Sequence, residues 1–277
     1  MFDPVTIGSA APADAGRRCV LRAGAVWAGA SGISALAAPA LASNDAQALL
    51  AASDEVRNPS RPFAVTVTLL EFRGGKQTDS NVLNVYTKAA AGGTFRTLIR
   101  IVAPARDADK LLLKNGNDLW FYDPASQASV RLSPQQRLLG QAANGDVVTV
   151  NLAREYAAEW LGEEDMADGE KVMRRAAKLA LSAAMPEVTY HRAEVWLDKA
   201  NARPIRARFY AESGRLLKTA FYRKFQPVLG RERPTEVIII DGLDGAWVTV
   251  LRYSDWTYRD IPDLWFQRDY LPRFRPE

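Results

Sequence analysis

Few side chains in this sequence are of a type that does chemistry. Among its 277 residues there is one cysteine, Cys19, and one histidine, His191. A cysteine-rich zinc site and an intrachain disulfide are both impossible with a single cysteine. A Ser-His-Asp triad would have to use His191, which stands between Tyr190 and Arg192 and reads as a surface or strand-packing histidine. No G-x-S-x-G elbow, Walker loop, H-E-x-x-H or G-x-G-x-x-G occurs. The acidic run Glu163-Glu164-Asp165 lacks the alternating oxygen ligands and glycine turn of a calcium loop, and reads as a solvated charge cluster. Lys plus Arg number 36 against 32 Asp plus Glu, a net charge of +4. That balance is too mild and too evenly spread to point to nucleic acid. These counts weigh against an enzyme and call for no cofactor or metal.

The first 42 residues read as a cleavable leader. Arg17-Arg18-Cys19-Val20-Leu21-Arg22 precedes an apolar stretch from Ala23 to Ala38, and Ala40-Leu41-Ala42 is a small-x-small cleavage site. The stretch is shorter than the ~20 residues that cross a bilayer as a helix. The twin arginine resembles a Tat signal, with an ordinary Sec signal as the alternative. Cys19 lies before the apolar core, not after it, so no lipobox is present. The mature chain, 43–277, is expected to be a soluble protein of the bacterial cell envelope with no cysteine.

Beyond the leader, 44–53 reads as a short amphipathic helix ended by Asn58-Pro59. After Pro62 the hydrophobic period falls to two. Phe63–Leu69, Asn81–Lys88 and Thr94–Val102 alternate apolar with polar residues, with Gly74-Gly75 and Gly92-Gly93 as turns. Further strands are expected at Lys110–Lys114, Asp118–Tyr122, Ser129–Ser133, Tyr190–Asp198, Ile205–Ala211, Leu216–Phe225, Thr235–Ile240 and Trp247–Ser254. Pro134–Leu139 and Leu152–Leu161 read as short helices. Glu170–Leu181 fits either a helix or a strand, and strand is preferred. Many sequential strands with short turns make an antiparallel meander, closed or half-closed into a barrel. A curved sheet of this kind can enclose an apolar ligand. Several strands carry bulky groups of both parities, such as Trp120 and Tyr122 against Leu119 and Phe121, so both faces of the sheet must be covered.

Around Trp120 the chain resembles the periplasmic LolA-like outer membrane lipoprotein-sorting family, in the branch associated with RND-type exporters. The matching pieces include Asp54-x-x-Arg57-x-Pro59, Gly116-x-x-x-Trp120-x-Tyr122-x-Pro124 and Arg131-x-Ser133-x-x-Gln136-Arg137-x-x-Gly140-Gln141. Asn144-Gly145-Asp146, Trp196-x-Asp198, Phe209-Tyr210 with Leu217-Lys218-Thr219, and Ile261-Pro262-Asp263 follow in order. The resemblance implies a mainly β fold, an incomplete antiparallel β-barrel with short helices over its concave face. It also implies a non-enzymatic carrier of lipoprotein or lipid acyl chains, passing cargo from an inner-membrane exporter to an outer-membrane acceptor. The alternatives are an accessory or sensory subunit of an RND-type exporter that holds no cargo, and a hydrolase with a carboxylate pair.

On the carrier reading, Val67, Leu69, Val85, Phe95, Ile99, Ile101 and Trp120 are expected to line the cavity. The stretch Ser133–Asp146 then serves as a lid, with Leu138 and Leu139 pressed on the cavity mouth. Arg131, Gln136, Arg137, Gly140 and Asp146 are its motif residues, and the arginines are expected to pair with carboxylates such as Asp146 or to meet a lipid headgroup. N-terminal sequencing of the protein from the periplasmic fraction is expected to begin at Ser43. An intact 1–42 segment in the membrane pellet would contradict this.

Overall fold

The fold is that of a computed structural model describing residues 45–276 except 187, with the side chain of residue 137 also outside it. The expected leader, including Cys19 and the Ala40-Leu41-Ala42 site, lies outside the described residues. No helix among the described residues is long and apolar enough to cross a membrane.

The first element, α1 (Ala46–Arg57), begins at Asp45, whose carboxylate accepts from the Ala48 amide at 2.9 Å as an N-cap. Ala46, Leu49, Leu50, Ser53 and Val56 form its buried stripe at helical spacing. The helix runs one turn further than its apolar pattern indicates, because Pro59 makes Asn58 extended and nothing earlier breaks it. Its exposed-end carbonyls are taken by Arg233, which is almost fully buried. Arg233 Nη1 donates to the Glu55 and Val56 carbonyls at 3.1 and 2.8 Å.

Six strands follow: β1 (Phe63–Arg73), β2 (Lys76–Ala89), β3 (Phe95–Ala103), β4 (Leu111–Asn115), β5 (Asp118–Asp123) and β6 (Ala128–Arg131). A small hairpin, β7 (Arg137–Leu139) and β8 (Ala142–Ala143), leads into two single-turn helices, α2 (Asn144–Val147) and α3 (Leu152–Glu155). The second run is β9 (Tyr156–Ala167), β10 (Met173–Ala183), β11 (Arg192–Asp198), β12 (Pro204–Tyr210), β13 (Leu216–Val228), β14 (Arg231–Asp241) and β15 (Trp247–Tyr258). Two 3₁₀ segments, Asp263–Phe266 and Arg268–Arg273, end the chain.

Apart from β7 and β8, the strands make one 13-stranded antiparallel sheet, ordered β6-β5-β4-β3-β2-β1-β15-β14-β13-β12-β11-β10-β9. Each half is a meander, and the pairing of β1 with β15 joins them. Strands β6 and β9 remain as edges, so the sheet curls without closing, as the incomplete barrel requires. Bulges assist the bending: the register slips between Ala64 and Thr66 opposite Asp255, a residue at φ 54°, and again between Lys178 and Leu179.

Register sorts the side chains into two faces. Val65, Val85, Ile99 and Leu112 run across β1 to β4 on the inner face, beside Val67, Leu83 and Ile101. The outer-face row is Ala64, Tyr86, Leu98, Leu113 and Trp120. The chain's own C-terminus covers that outer row with Ile261, Trp265, Phe266, Leu271 and Phe274. Trp265 meets Tyr86 edge-on at 5.3 Å and Phe274 at 4.7 Å. This explains the double apolar parity of β4 and β5.

Three local expectations need correction or sharpening. Pro134–Leu139 is not a helix. The Pro134 carbonyl accepts from the Gly145 amide at 2.9 Å and the Gln136 carbonyl from Asn144 at 2.8 Å. Those carbonyls are therefore committed to a hairpin, which turns at Gly140 (φ 55°). Leu152–Leu161 is helical for one turn only, since from Tyr156 onward the backbone pairs with β10. The ambiguous Glu170–Leu181 stretch is strand from Met173 onward, because β9 and β11 flank it on both sides.

Trp265→Ala is expected to destabilise the fold by about 3–5 kcal/mol in a denaturant titration. A loss under about 1 kcal/mol would mean that the C-terminal cover is not part of the cooperative core.

Candidate functional site

The inner face of the sheet is hollow where the outer face is filled. Its floor is Phe63, Val65 and Val67 of β1, Val85 of β2, Val195 of β11, Phe209 of β12 and Val237 of β14, with Tyr222, Tyr253 and Trp256 toward one side. A strap crosses above it: Gly145 to Val150, then Leu152, Glu155 and Tyr156. The C-terminal end of α1 adds Arg57 and Asn58. Between floor and strap lies a mostly apolar cavity of about 160 Å³.

The strap buries Val147 and Val148 in the core and is pinned by polar contacts at its ends. At one end Asp146 forms an ion pair with Lys218 of β13, and both side chains are largely withdrawn from solvent. Lys218 Nζ also donates to the Gln141 carbonyl at 3.0 Å and lies 4.7 Å above the Tyr190 ring. Asp146 further accepts from the Ala143 amide at 2.7 Å and the Tyr190 hydroxyl at 3.0 Å. Burial, and then the Asp146 charge, holds the Tyr190 phenol well above its ordinary range, so it stays a neutral donor. At the other end Glu155 meets Lys114 of β4 at 3.4 Å. Between them, the Thr149 hydroxyl lies 2.9 Å from that of Thr87, and the Thr149 amide donates to Thr97 Oγ1.

Helix α1 and the strap are bound together. Asn58 Nδ2 donates to the Val150 carbonyl at 2.9 Å, and Asp54 accepts from the Ala153 amide at 2.7 Å. Gln47 bridges the Ala153 carbonyl and the Ala158 amide. Gly145 allows the strap to approach the sheet, since a Cβ there would fall 1.9 Å from Thr189 Oγ1.

Of the residues singled out from the sequence, Val67 and Val85 stand on the cavity wall. Leu69, Ile99 and Ile101 are on the same face, buried in the core beyond the wall. Phe95 lines a separate recess beside Pro59 and Arg154. Trp120 is on the outer face, with the Arg268 guanidinium 4.2 Å above its ring, because its register partner is Leu113 and not Leu112. Leu138 and Leu139 are not on the wall. Leu139 is buried in the core and Leu138 packs half-buried against it, so the hairpin is core packing, and the cover is the strap that follows. Gly140 seats this hairpin against Thr249, whose hydroxyl accepts from the Gln141 amide at 2.8 Å.

Arg131 pairs with Asp118 at 3.0 Å, and the side chain of Arg137 is outside the described residues. Gln136 accepts from the Ser133 amide and shapes the turn. Asp146 has Lys218 as an ion-pair partner, a cation the expectation did not name. That lysine stood in the Leu217-Lys218-Thr219 motif, and an inward parity on β13 is the signal that marks it. His191 is exposed, and its carbonyl accepts from Ala183 as an edge of the β10–β11 ladder. Glu163 pairs with Arg175 and Lys199, and Glu164 with Trp196 and Arg206. Among the described residues, no group of three or more His, Cys, Asp or Glu is arranged to hold a metal ion.

A family model described as "Uncharacterized protein" matches residues 93–273. The fold is similar to that of a LolA superfamily protein from Nitrosomonas europaea, with a TM-score of 0.73 and 36% identity over 81% of this chain and 98% of that one. A DUF1329 family protein from Desulfovibrio piger is similar at a TM-score of 0.69 and 23% identity, covering 82% of this chain and 97% of that one. A domain described as outer membrane lipoprotein-sorting from Vibrio parahaemolyticus shares the fold at a TM-score of 0.69 and 18% identity, over 82% and 98% of the two chains. No curated protein matches.

Lys218→Met leaves Asp146 as a buried charge without its counter-ion, and is expected to destabilise the protein by about 3–5 kcal/mol. The double variant with Asp146→Asn should recover part of that loss in a denaturant titration. A double variant that loses the sum of the two single effects would show that the two groups are not coupled.

Proposed function

The chain belongs to the LolA superfamily, and on that premise we propose that it is a periplasmic, non-catalytic carrier that shelters acyl chains of a lipoprotein or lipid between sheet and strap. The observation that supports this reading is the apolar cavity on the inner face, under a cover held by polar contacts. A core needed only for stability is close-packed. Here the outer face follows that rule and the inner face departs from it. In this proposal the leader over 1–42 delivers the protein across the inner membrane, an exporter of the RND type supplies cargo, and an outer-membrane partner accepts it.

The cavity's 160 Å³ is below the roughly 300–1,000 Å³ of ordinary ligand pockets. Loading therefore requires the strap to lift. The magnitudes permit it. Each CH₂ removed from water contributes about 0.8 kcal/mol, so six of them contribute about 5 kcal/mol. The hydrogen bonds at Thr149 and Asn58 are each worth about 0.5–1.5 kcal/mol net. A bound chain thus offsets the loss of several strap contacts, while the empty carrier stays closed. Val67 and Val85 are the floor positions, among the residues read from the sequence, that a chain would touch.

A reversible lock tests the lifting step. Thr87 and Thr149 present their hydroxyl oxygens 2.9 Å apart, one on the floor and one on the strap. Thr87→Cys with Thr149→Cys, in a Cys19→Ser background, should form a disulfide on oxidation. Binding of an acyl-chain fluorophore is expected to fall at least tenfold in the oxidised form, about 1.4 kcal/mol, and to return on reduction. Equal binding by the oxidised and reduced forms would show that the strap does not gate the cavity.

A further inference from the structure

The cavity wall contains hydrogen-bond donors that the protein leaves unused. Arg57 pairs through Nη2 with Asp54, but its Nε is buried with no acceptor. Trp256, stacked on Phe63 at 5.6 Å, likewise has its indole Nε1 buried without a partner. Both side chains line the cavity, together with Tyr222 and Tyr253. Burial holds both phenols above their ordinary range, so they too are protonated donors. Buried donors without acceptors are rare in native proteins, and two on one cavity wall call for an explanation.

The carboxylates on the same wall are already matched. Asp146 is occupied by Lys218, Tyr190 and the Ala143 amide, and Glu155 by Lys114. The Arg57 charge is opposed by burial but balanced by Asp54, which keeps the guanidinium protonated. The wall therefore has a surplus of N–H and O–H donors without a surplus of positive charge. A full anion entering here would meet no uncommitted counter-ion among the described residues of this apolar wall, where an unbalanced charge is costly. A neutral carbonyl oxygen needs only donors.

We infer that the Arg57, Tyr222, Tyr253 and Trp256 side of the cavity recognises the neutral carbonyl of a fatty acyl ester or amide, with the hydrocarbon chain lying along Phe63, Val65 and Val195. This rests on the carrier reading and refines it. The ligand class is an acylated molecule still joined through its ester or amide, and not a free fatty acid anion. Selectivity comes from the linkage, so the chemistry beyond it is left to the solvent-facing part of the cargo.

The test uses N-phenylnaphthylamine, an apolar fluorophore without a carbonyl, displaced by methyl palmitate or by palmitate at about pH 8, where the carboxylate is ionised. Methyl palmitate should displace it from the wild-type protein at lower concentration than palmitate. Trp256→Phe keeps an aromatic ring beside Phe63 and removes the N–H. It should weaken methyl palmitate about fivefold more than it weakens the fluorophore, the effect of one neutral hydrogen bond. Tyr253→Phe is a second variant with the same expected pattern. Palmitate displacing as well as its ester, or either variant changing both ligands equally or neither, would overturn the inference and leave the carrier reading standing. No fluorophore binding by the wild-type protein would overturn the carrier reading itself.

Discussion

The buried ion pair of Lys218 with Asp146 is the contact on which the cavity depends. It joins the floor of the sheet to the start of the strap, and each charge is satisfied by more than its partner: Lys218 by the Gln141 carbonyl, Asp146 by Tyr190 and the Ala143 amide. A buried pair returns its desolvation cost only when its remaining hydrogen-bonding capacity is filled in this way. The second pair, Glu155 with Lys114, stands at the far end of the strap. Between the two, the strap carries polar backbone over an apolar floor and is held by threonine hydroxyls and the side chains of α1.

That arrangement divides the sheet by function. The outer face of β2 to β5 is closed by aromatic and aliphatic side chains of the C-terminal segments, with Trp265 and Phe274 at right angles in close contact. The inner face is closed by α1 and the strap, whose apolar side chains, such as Leu50, Val147 and Val148, join the core while ion pairs and hydrogen bonds pin the strap's ends. Polar contacts of this kind are individually modest and are exchangeable with water, whereas a packed aromatic cover is not. On the proposed carrier reading, in which one face opens without unfolding, the two faces are stabilised by different means.

The comparison with relatives of the LolA superfamily and the geometry agree on the kind of object this is: a long curled sheet with a covered hollow. On the proposed reading, hydrophobic area in the hollow supplies affinity and a small number of donors supply orientation, the usual division in small-molecule sites. Arg57 belongs to both systems. It lies in the motif shared with Asp54 and Pro59, ends α1, and is part of the cavity wall.

Period-two alternation in Phe63–Leu69, Asn81–Lys88 and Thr94–Val102 determined by itself that these are strands, and which residues share a face. The paired parities of Leu119 to Tyr122 determined that both faces are covered. Those features are local, because alternation is a property of consecutive residues. What tertiary structure alone decided depends on partners distant in sequence. Pro134–Leu139 has a helical look, yet its carbonyls bond to residues 144 and 145, so it is a hairpin. Leu138 and Leu139 read as a cover, but the cover begins further along the chain at Gly145, where only a glycine fits beneath Thr189. Trp120 was expected on the cavity wall, yet its register opposite Leu113 puts it on the other face. Asp146 was visible as a motif residue, but its counter-ion is 72 positions away, and no local pattern encodes which cation reaches it.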